Sequence, residues 1–366
     1  MASVFRGLFG GLFGRRKGGK EGQPEEESEE ERIRRALKKD RSVVLGELPR
    51  YKARPQLIFV GSSKGGAGKS FLAANLVVAV SALSPSKSLY VVDLDLDNQT
   101  ASLVLPPEGQ MPRLAQMAAK NNVNLLTVAD VFEKSYVPRG WIIPKFRGQT
   151  FGCNGVQVEY SFLLIPAYDR VRMKEQQVIM RGLDTRSLRA GVEALLAYFQ
   201  AKKNTDKSAV VFFDGKQKSD LGINVEPIYR QMAENSDAFI LVTEPPYLSF
   251  DDVVAPYRGM LEKTVVVVNK VNPSVLDRVA LFVKDALSYG VPAFVIPESP
   301  PDGDLYRLRG RAPAADRLGR ATALHAAALA YFLGLADDDG LRAVGCDASV
   351  YAILTNYKKL FASEGE

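Results

Sequence analysis

Apolar positions fall in short, continuous blocks along most of this chain. Leu57-Ile58-Phe59-Val60, Leu89-Tyr90-Val91-Val92, Val210-Val211-Phe212-Phe213, Phe239-Ile240-Leu241-Val242, Val265-Val266-Val267-Val268 and Phe294-Val295-Ile296 are rich in β-branched and aromatic residues and do not alternate with polar ones. Such runs predict strands buried on both faces, as in a parallel sheet covered by helices. Tyr160–Ala167 predicts a further strand, and Leu125–Phe132 predicts a helix. Between them, residues 134–159 hold Trp141 beside Lys145 and Arg147 among several glycines. That stretch is either a hairpin at the edge of the sheet or an insertion facing a partner or a membrane. A final helix carries Tyr351, Leu354, Tyr357, Leu360 and Phe361 with Lys358 and Lys359, and its default reading is packing on the body. The expected fold is α/β, a mostly parallel doubly wound sheet flanked by helices. The expected organisation is an amphipathic segment at 1–20, a charged linker at 21–50, the main domain at 51–335 and a helical segment at 336–366.

Charge changes this picture only through its distribution. The net +6 is modest for 366 residues, but residues 1–20 are purely basic, 21–31 purely acidic, and 32–41 basic again. Glu30–Arg34 and Glu31–Arg35 are favourably ordered i, i+4 pairs, so part of this region is predicted to be a solvated helix joined flexibly to what precedes it. Two cysteines, Cys153 and Cys346, lie far apart in sequence and form no Cys-x-x-Cys pair. They are expected to be reduced, with no disulfide framework or thiolate metal site. The single histidine, His325, sits in an alanine-rich helical stretch and is expected to be packed, which argues against histidine-based catalysis. No apolar run is long enough to span a bilayer.

The sharpest chemistry follows the first apolar block. Gly61-Ser62-Ser63-Lys64-Gly65-Gly66-Ala67-Gly68-Lys69-Ser70 leads straight into Phe71-Leu72-Ala73-Ala74, giving strand, glycine-rich turn and helix. That is the context a phosphate-binding loop requires. Gly65, Gly66 and Gly68 free backbone N–H groups to converge on phosphate oxygens, and the helix start adds its positive dipole end. Lys69 is placed to reach the β- and γ-phosphates and Ser70 to ligate Mg²⁺. Strand 88–95 ends in Asp93 and Asp95, and strand 209–215 ends in Asp214. Carboxylates at strand ends belong to the ligand crevice of a doubly wound sheet, and an aspartate closing a buried strand behind such a loop has the form that holds Mg²⁺.

The loop departs from the strict phosphate-loop pattern at Ser63 and adds a second lysine, Lys64. In this it resembles the deviant Walker A motif of the MinD/ParA family of ATPases, closer to the MinD-like than the ParA-like branch. The resemblance covers about residues 55–335. It implies that residues 64–71, from Lys64 to Phe71, bind the nucleotide and that Lys64 reaches a nucleotide across a dimer interface. It further implies that Asp95 lies near the attacking water with Asp93 in support, and that Lys64, Lys69 and Asp95 form the catalytic set. Ser70, Asp93 and Asp214 are the implied metal residues, ATP and Mg²⁺ the implied cofactors. Thr243-Glu244-Pro245 matches the family's Thr-x-Pro strand end. Pro297, with Asp302 and Asp304 beyond it, matches an Ile-Pro-x-Asp segment bordering adenine. Asn269-Lys270-Val271-Asn272 has no aspartate in the fourth place, where a guanine-reading motif needs a carboxylate, so adenine is favoured with Asn269 at the base. After Asp214 the chain reads Gly215-Lys216-Gln217-Lys218-Ser219-Asp220 rather than the family's Thr-Pro-Ala-Gly-like switch, and this departure bears on turnover.

At the N-terminus, Val4, Phe5, Leu8, Phe9, Leu12 and Phe13 form one helical stripe, followed by Arg15, Arg16, Lys17 and Lys20. Four glycines weaken such a helix in water by about 1 kcal/mol each. A segment that folds on an anionic membrane surface fits this composition; a partner-binding peptide and an inert tail are the alternatives, and the MinD-like resemblance implies that the final helix competes for the lipid-binding role. The expected function is therefore an ATP-dependent, slowly hydrolysing dimeric switch at the inner face of the cell membrane that positions or recruits a partner assembly. A DNA-partitioning ATPase is the alternative, with Lys202, Lys203 and Lys207 or Arg307, Arg309 and Arg311 as candidate contacts. A metabolic or cofactor-assembly ATPase on the same fold is the third, and no substrate signature supports it.

Overall fold

A computed structural model describes residues 51, 54–62, 64–215, 223, 225–245 and 249–362. The expected membrane segment and charged linker at 1–50 and the departure at 216–220 lie outside the described residues. Among the described residues eight strands form one sheet: β1 (Leu57–Ser62), β2 (Ser88–Leu94), β3 (Lys145–Phe151), β4 (Gln157–Ile165), β5 (Ala209–Gly215), β6 (Ala238–Thr243), β7 (Thr264–Val271) and β8 (Ala293–Pro297). Their order is β3-β4-β2-β5-β1-β6-β7-β8. Every pair is parallel except the β3–β4 hairpin. The apolar blocks are thus the strands, and β1, β5, β6 and β8 are buried at every position.

The crossover from β1 runs to β2 on one side, and the crossover from β5 runs past β1 to β6 on the other. Right-handed crossovers in opposite directions place their helices on opposite faces. They also open a crevice at the carboxyl ends of β1 and β5, where such sheets bind ligands. The helix after β1, Lys69–Leu83, is buried nearly all round because it lies between the sheet and the helix Ala321–Phe332. On the other face the long helix Thr185–Thr205 packs with Glu226–Asn235 and Val128–Lys134. The helix expected from Leu125 begins only at Val128, where Thr127 caps it; Leu125 instead bridges Ile142.

Residues 145–165 form an antiparallel hairpin at the sheet edge, the first of the two readings of that region. Trp141, just before it, is half-buried with the charges of Lys134 and Arg172 over its ring. The cysteine expectation is overturned: Cys153 and Cys346, separated by 193 residues, form a disulfide. The hairpin turn lies against the loop after Asp338–Ala343, where the Asn154 amide donates to the Val344 carbonyl at 3.4 Å, and this contact unites two cysteines that sequence distance keeps apart. Composition therefore gives no argument for a reducing compartment.

Both sheet edges are covered by later segments. On β3, the Leu318 amide donates to Phe151 O at 2.8 Å and Thr150 Oγ1 donates to Ala314 O. On β8, the hydroxyl of Tyr357 donates to Val295 O at 2.9 Å and accepts from Val295 N at 2.6 Å. Tyr357 belongs to the final helix, Asp347–Ala362, which packs on Ala321–Phe332 as expected. His325 is buried in that same helix group, its Nδ1 on Ala321 O, and burial lowers its pKa. Among the described residues no helix is long and apolar enough to cross a membrane.

Candidate nucleotide site

The loop between β1 and its helix has the backbone its glycines predict. Gly66 (φ 80°) and Gly68 (φ 90°) adopt left-handed conformations that disfavour any side chain. At Gly68 space forbids one as well, since a Cβ would collide with the amide of Asn269. Asn269 is buried and donates through Nδ2 to Ala67 O at 3.1 Å. The residue expected to read the base thus also braces the loop, and its Oδ1 is left as the atom able to face a ligand. It arrives from β7 at a bulge between Val268 and Val271, where Lys270 takes a positive φ of 58°.

Lys69 and Ser70 open the helix together, with Lys69 Nζ donating to Ser70 Oγ at 3.1 Å and lying 3.6 Å from Asp95 Oδ2. Asp95 is buried and also accepts from Asn98 N at 3.2 Å and Thr100 Oγ1 at 3.1 Å, so it fixes the turn after β2 while meeting the loop lysine. Asp93 and Asp214 pair in register on β2 and β5. Burial raises the pKa of both, and their neighbouring carboxylates push the same way, while Lys69 pulls Asp214 down. Their hydrogen bonds differ. Asp93 Oδ2 accepts from Ser102 N at 2.7 Å and Ser102 Oγ at 2.6 Å, and Oδ1 accepts from Asp95 N at 3.1 Å. Asp93, expected beside the metal, is therefore largely committed to ordering the segment after β2.

Both carboxylate oxygens of Asp214 are buried without a hydrogen-bond partner. Orphaned buried oxygens next to a serine and a lysine fit a hydrated divalent cation. Among the described residues no group of three or more His, Cys, Asp or Glu side chains is arranged to hold a metal alone. Mg²⁺ characteristically binds through one or two protein oxygens, waters and substrate phosphates, so Ser70 and Asp214 suit it in that company.

Beside the loop lies a cleft of about 460 Å³ lined by Phe71, Asn269, Pro297 and the helix Pro300–Arg309, among others. Phe71 meets Tyr306 edge-on at 4.9 Å. Tyr306 was not singled out by sequence, although it follows the marked segment of Pro297, Asp302 and Asp304. Burial raises its pKa, and Asp214, Asp93 and Asp95 add to the rise. Of the two aspartates after Pro297, Asp304 lines the cleft. Asp302 is buried and accepts from Thr322 N at 3.1 Å.

Loop, carboxylates and cleft thus meet at one crevice. The model of the CobQ/CobB/MinD/ParA nucleotide-binding domain matches residues 58–304, more than half of the chain, and the chain belongs to that family. No curated protein matches it. Among solved structures, the MinC:MinD cell division complex of Aquifex aeolicus matches at 19% identity, covering 74% of this chain and 93% of that one with a TM-score of 0.45. The pNOB8 ParA structure matches at 15% identity, covering 84% and 98% with a TM-score of 0.47. Cobyrinic acid a,c-diamide synthase from Mycobacterium smegmatis, with ADP and magnesium, matches at 15% identity, covering 74% and 93% with a TM-score of 0.40.

Proposed function

We propose that this family member binds and hydrolyses ATP as a switch that dimerises in the ATP state and recruits or positions a partner assembly at an anionic membrane surface. The observation that carries the nucleotide chemistry is the pairing of a left-handed, Asn269-braced loop with the unpartnered oxygens of Asp214 one strand away. The loop amides and Lys69 bind the β- and γ-phosphates, and Phe71, Pro297 and Asn269 border the adenine. Ser70 and Asp214 hold Mg²⁺, which when bound neutralises phosphate charge. Asp95, linked to Lys69 and to the turn at Asn98–Thr100, orients the attacking water, while Asp93 holds that turn through Ser102. Lys64 serves the nucleotide of a second copy.

Support for the membrane comes from residues 1–20. One unlipidated, glycine-rich apolar stripe binds marginally, whereas two on a dimer act at high effective concentration, so nucleotide state governs attachment. On this reading the protein works in the cytoplasm, peripherally on the inner face of the membrane, and the Cys153–Cys346 bridge lends that compartment no support. A DNA platform is the second reading, favoured by Arg307, Arg309 and Arg311, which are all exposed beside the cleft helix. By contrast, Lys203 is engaged by Asp237 at 2.8 Å.

Co-sedimentation with anionic vesicles and with non-specific duplex DNA, each with ATP and with ADP, decides between them. The expected result is ATP-dependent vesicle binding, lost on deleting residues 2–20, with ATP hydrolysis kept within about threefold. Salt-sensitive DNA binding with ATP and none to vesicles would replace the membrane by DNA.

A further inference from the structure

Lys64 follows β1, Glu244 follows β6, and Lys270 lies near the end of β7. Because β1, β6 and β7 are neighbours, their carboxyl ends gather these three charges on one side of the loop. Lys64 Nζ lies 2.6 Å from Glu244 Oε2, and Lys270 Nζ lies 2.7 Å from Glu244 Oε1. One carboxylate thus serves two lysines, one oxygen each. Lys270 is itself tied to the loop, donating to Gly66 O at 2.6 Å. Its positive φ at the β7 bulge is what turns it there, beside Asn269 on the next carbonyl, Ala67 O. Although burial opposes it, hydrogen bonds and charge from Lys270 and Lys64 hold the Glu244 carboxyl below its usual range.

We propose that Glu244 is a positioning residue for Lys64: a counter-ion within the same protomer that holds this lysine beside its own loop until a nucleotide on a second copy draws it away. This rests on the reading of Lys64 as reaching across a dimer. On this reading, reaching a partner's phosphates draws the ammonium off Glu244, so the two contacts compete. Lys64 is 52% exposed and Glu244 24%, so release needs only a change of side-chain rotamer. An ion pair this open is weak. A terminal phosphate, with more charge and more acceptor oxygens than a carboxylate, outcompetes it, whereas a nucleotide lacking that phosphate competes less well. Lys270 keeps Glu244 in place after Lys64 leaves, so the resting contact re-forms when the dimer parts.

The test measures dimerisation of the full chain by sedimentation velocity with Mg-ATP and with Mg-ADP, for Glu244→Gln and Glu244→Asp, each with Lys64 present and with Lys64→Ala. Expected for Glu244→Gln is an ATP dimer tighter by about 2- to 5-fold, the range of an exposed ion pair. The gain shrinks at high salt and vanishes in the Lys64→Ala background. ADP affinity of the monomer stays within about twofold, which a merely structural defect would not allow. Glu244→Asp, one methylene short of keeping both contacts, shifts the same way by less, and it carries the test alone if Glu244→Gln does not fold. Parent-like or weaker dimers from the folded variants, with Lys64→Ala losing the dimer, overturn the role of Glu244 alone. Parent-like dimerisation by Lys64→Ala overturns the cross-dimer reading and, with it, this one.

Discussion

Asp93 and Asp214 lie side by side across the β2–β5 pair, both fully buried, yet Asp93 is hydrogen-bonded on both oxygens and Asp214 on neither. A buried carboxylate without hydrogen-bond partners costs folding free energy, and at Asp214 burial and the Asp95 charge outweigh the relief that Lys69 and Ser70 give. Asp214→Asn keeps the shape and removes the charge. It is expected to raise the melting temperature measured without nucleotide or Mg²⁺, while Mg-dependent ATP binding weakens at least about tenfold. Calorimetry and titration read the two effects separately, and a lower melting temperature would show that Asp214 is stabilised in the resting protein.

The two left-handed glycines of the loop separate backbone strain from collision. A Cβ on Gly66 meets open space, so Gly66→Ala carries only the left-handed penalty, about 1–2 kcal/mol. On Gly68 it also strikes Asn269. Gly68→Ala is therefore expected to lose more stability and more ADP affinity than Gly66→Ala. The reverse order in urea melts and calorimetric titrations would mean that Asn269 does not brace the loop as described.

At the opposite end of β1, Asp237 accepts from Gln56 N at 3.0 Å and Leu57 N at 2.9 Å, and binds Lys203 through both oxygens at 2.8 Å. Burial pushes its pKa up, but these donors prevail and hold it below the usual value of 3.8. Its contribution to stability is then complete above about pH 4 and disappears as pH falls through the lowered folded value. Asp237→Asn should lose about 1.5–3 kcal/mol at pH 7, on the scale of a charged hydrogen bond, and match the parent in strong acid. ADP affinity should not change. Urea melts from pH 7 down into strong acid test the convergence.

Reducing the Cys153–Cys346 bridge should destabilise the protein by about 2–5 kcal/mol, because it frees a long loop in the unfolded chain. Cys153→Ser, at the half-buried end, should mimic this in thermal melts and be insensitive to added thiol. Neither cysteine lines the cleft, so nucleotide affinity is expected to hold. Equal melting with and without thiol would indicate that the bridge does not form in solution.

How much could be read from the chain depended on how far apart the interacting residues lie. Gly65–Ser70 is contiguous, and its strand, turn and helix read directly. Asp93, Asp95 and Asp214 each close an apolar block, so their place at strand ends followed from the pattern. Asn269 bonding Ala67 and Cys153 meeting Cys346 depend on strand order and hairpin placement over roughly 190–200 residues, which no local period encodes. Lys270 was hidden differently, because its positive φ belongs to a bulge in a run of valines that reads as uninterrupted strand. The helix start at Val128 was misjudged because Leu125 and Leu126 are apolar for a bridge to Ile142 and its neighbours, not for a helical face.

The phenol of Tyr357 against Val295 does the work of a missing ninth strand. An open sheet edge invites strand addition by another chain, and natural sheets block it by covering the edge. Here the last long helix supplies one hydroxyl that satisfies both backbone groups of a central β8 residue, while residues 313–318 shield the opposite margin at β3. A chain cut after the nucleotide crevice, at residue 335 for example, would keep the residues that bind phosphate and lose the cover on β8. Such a fragment would be prone to polymerise through that edge, so the C-terminal helix guards the protein against self-association of the wrong kind.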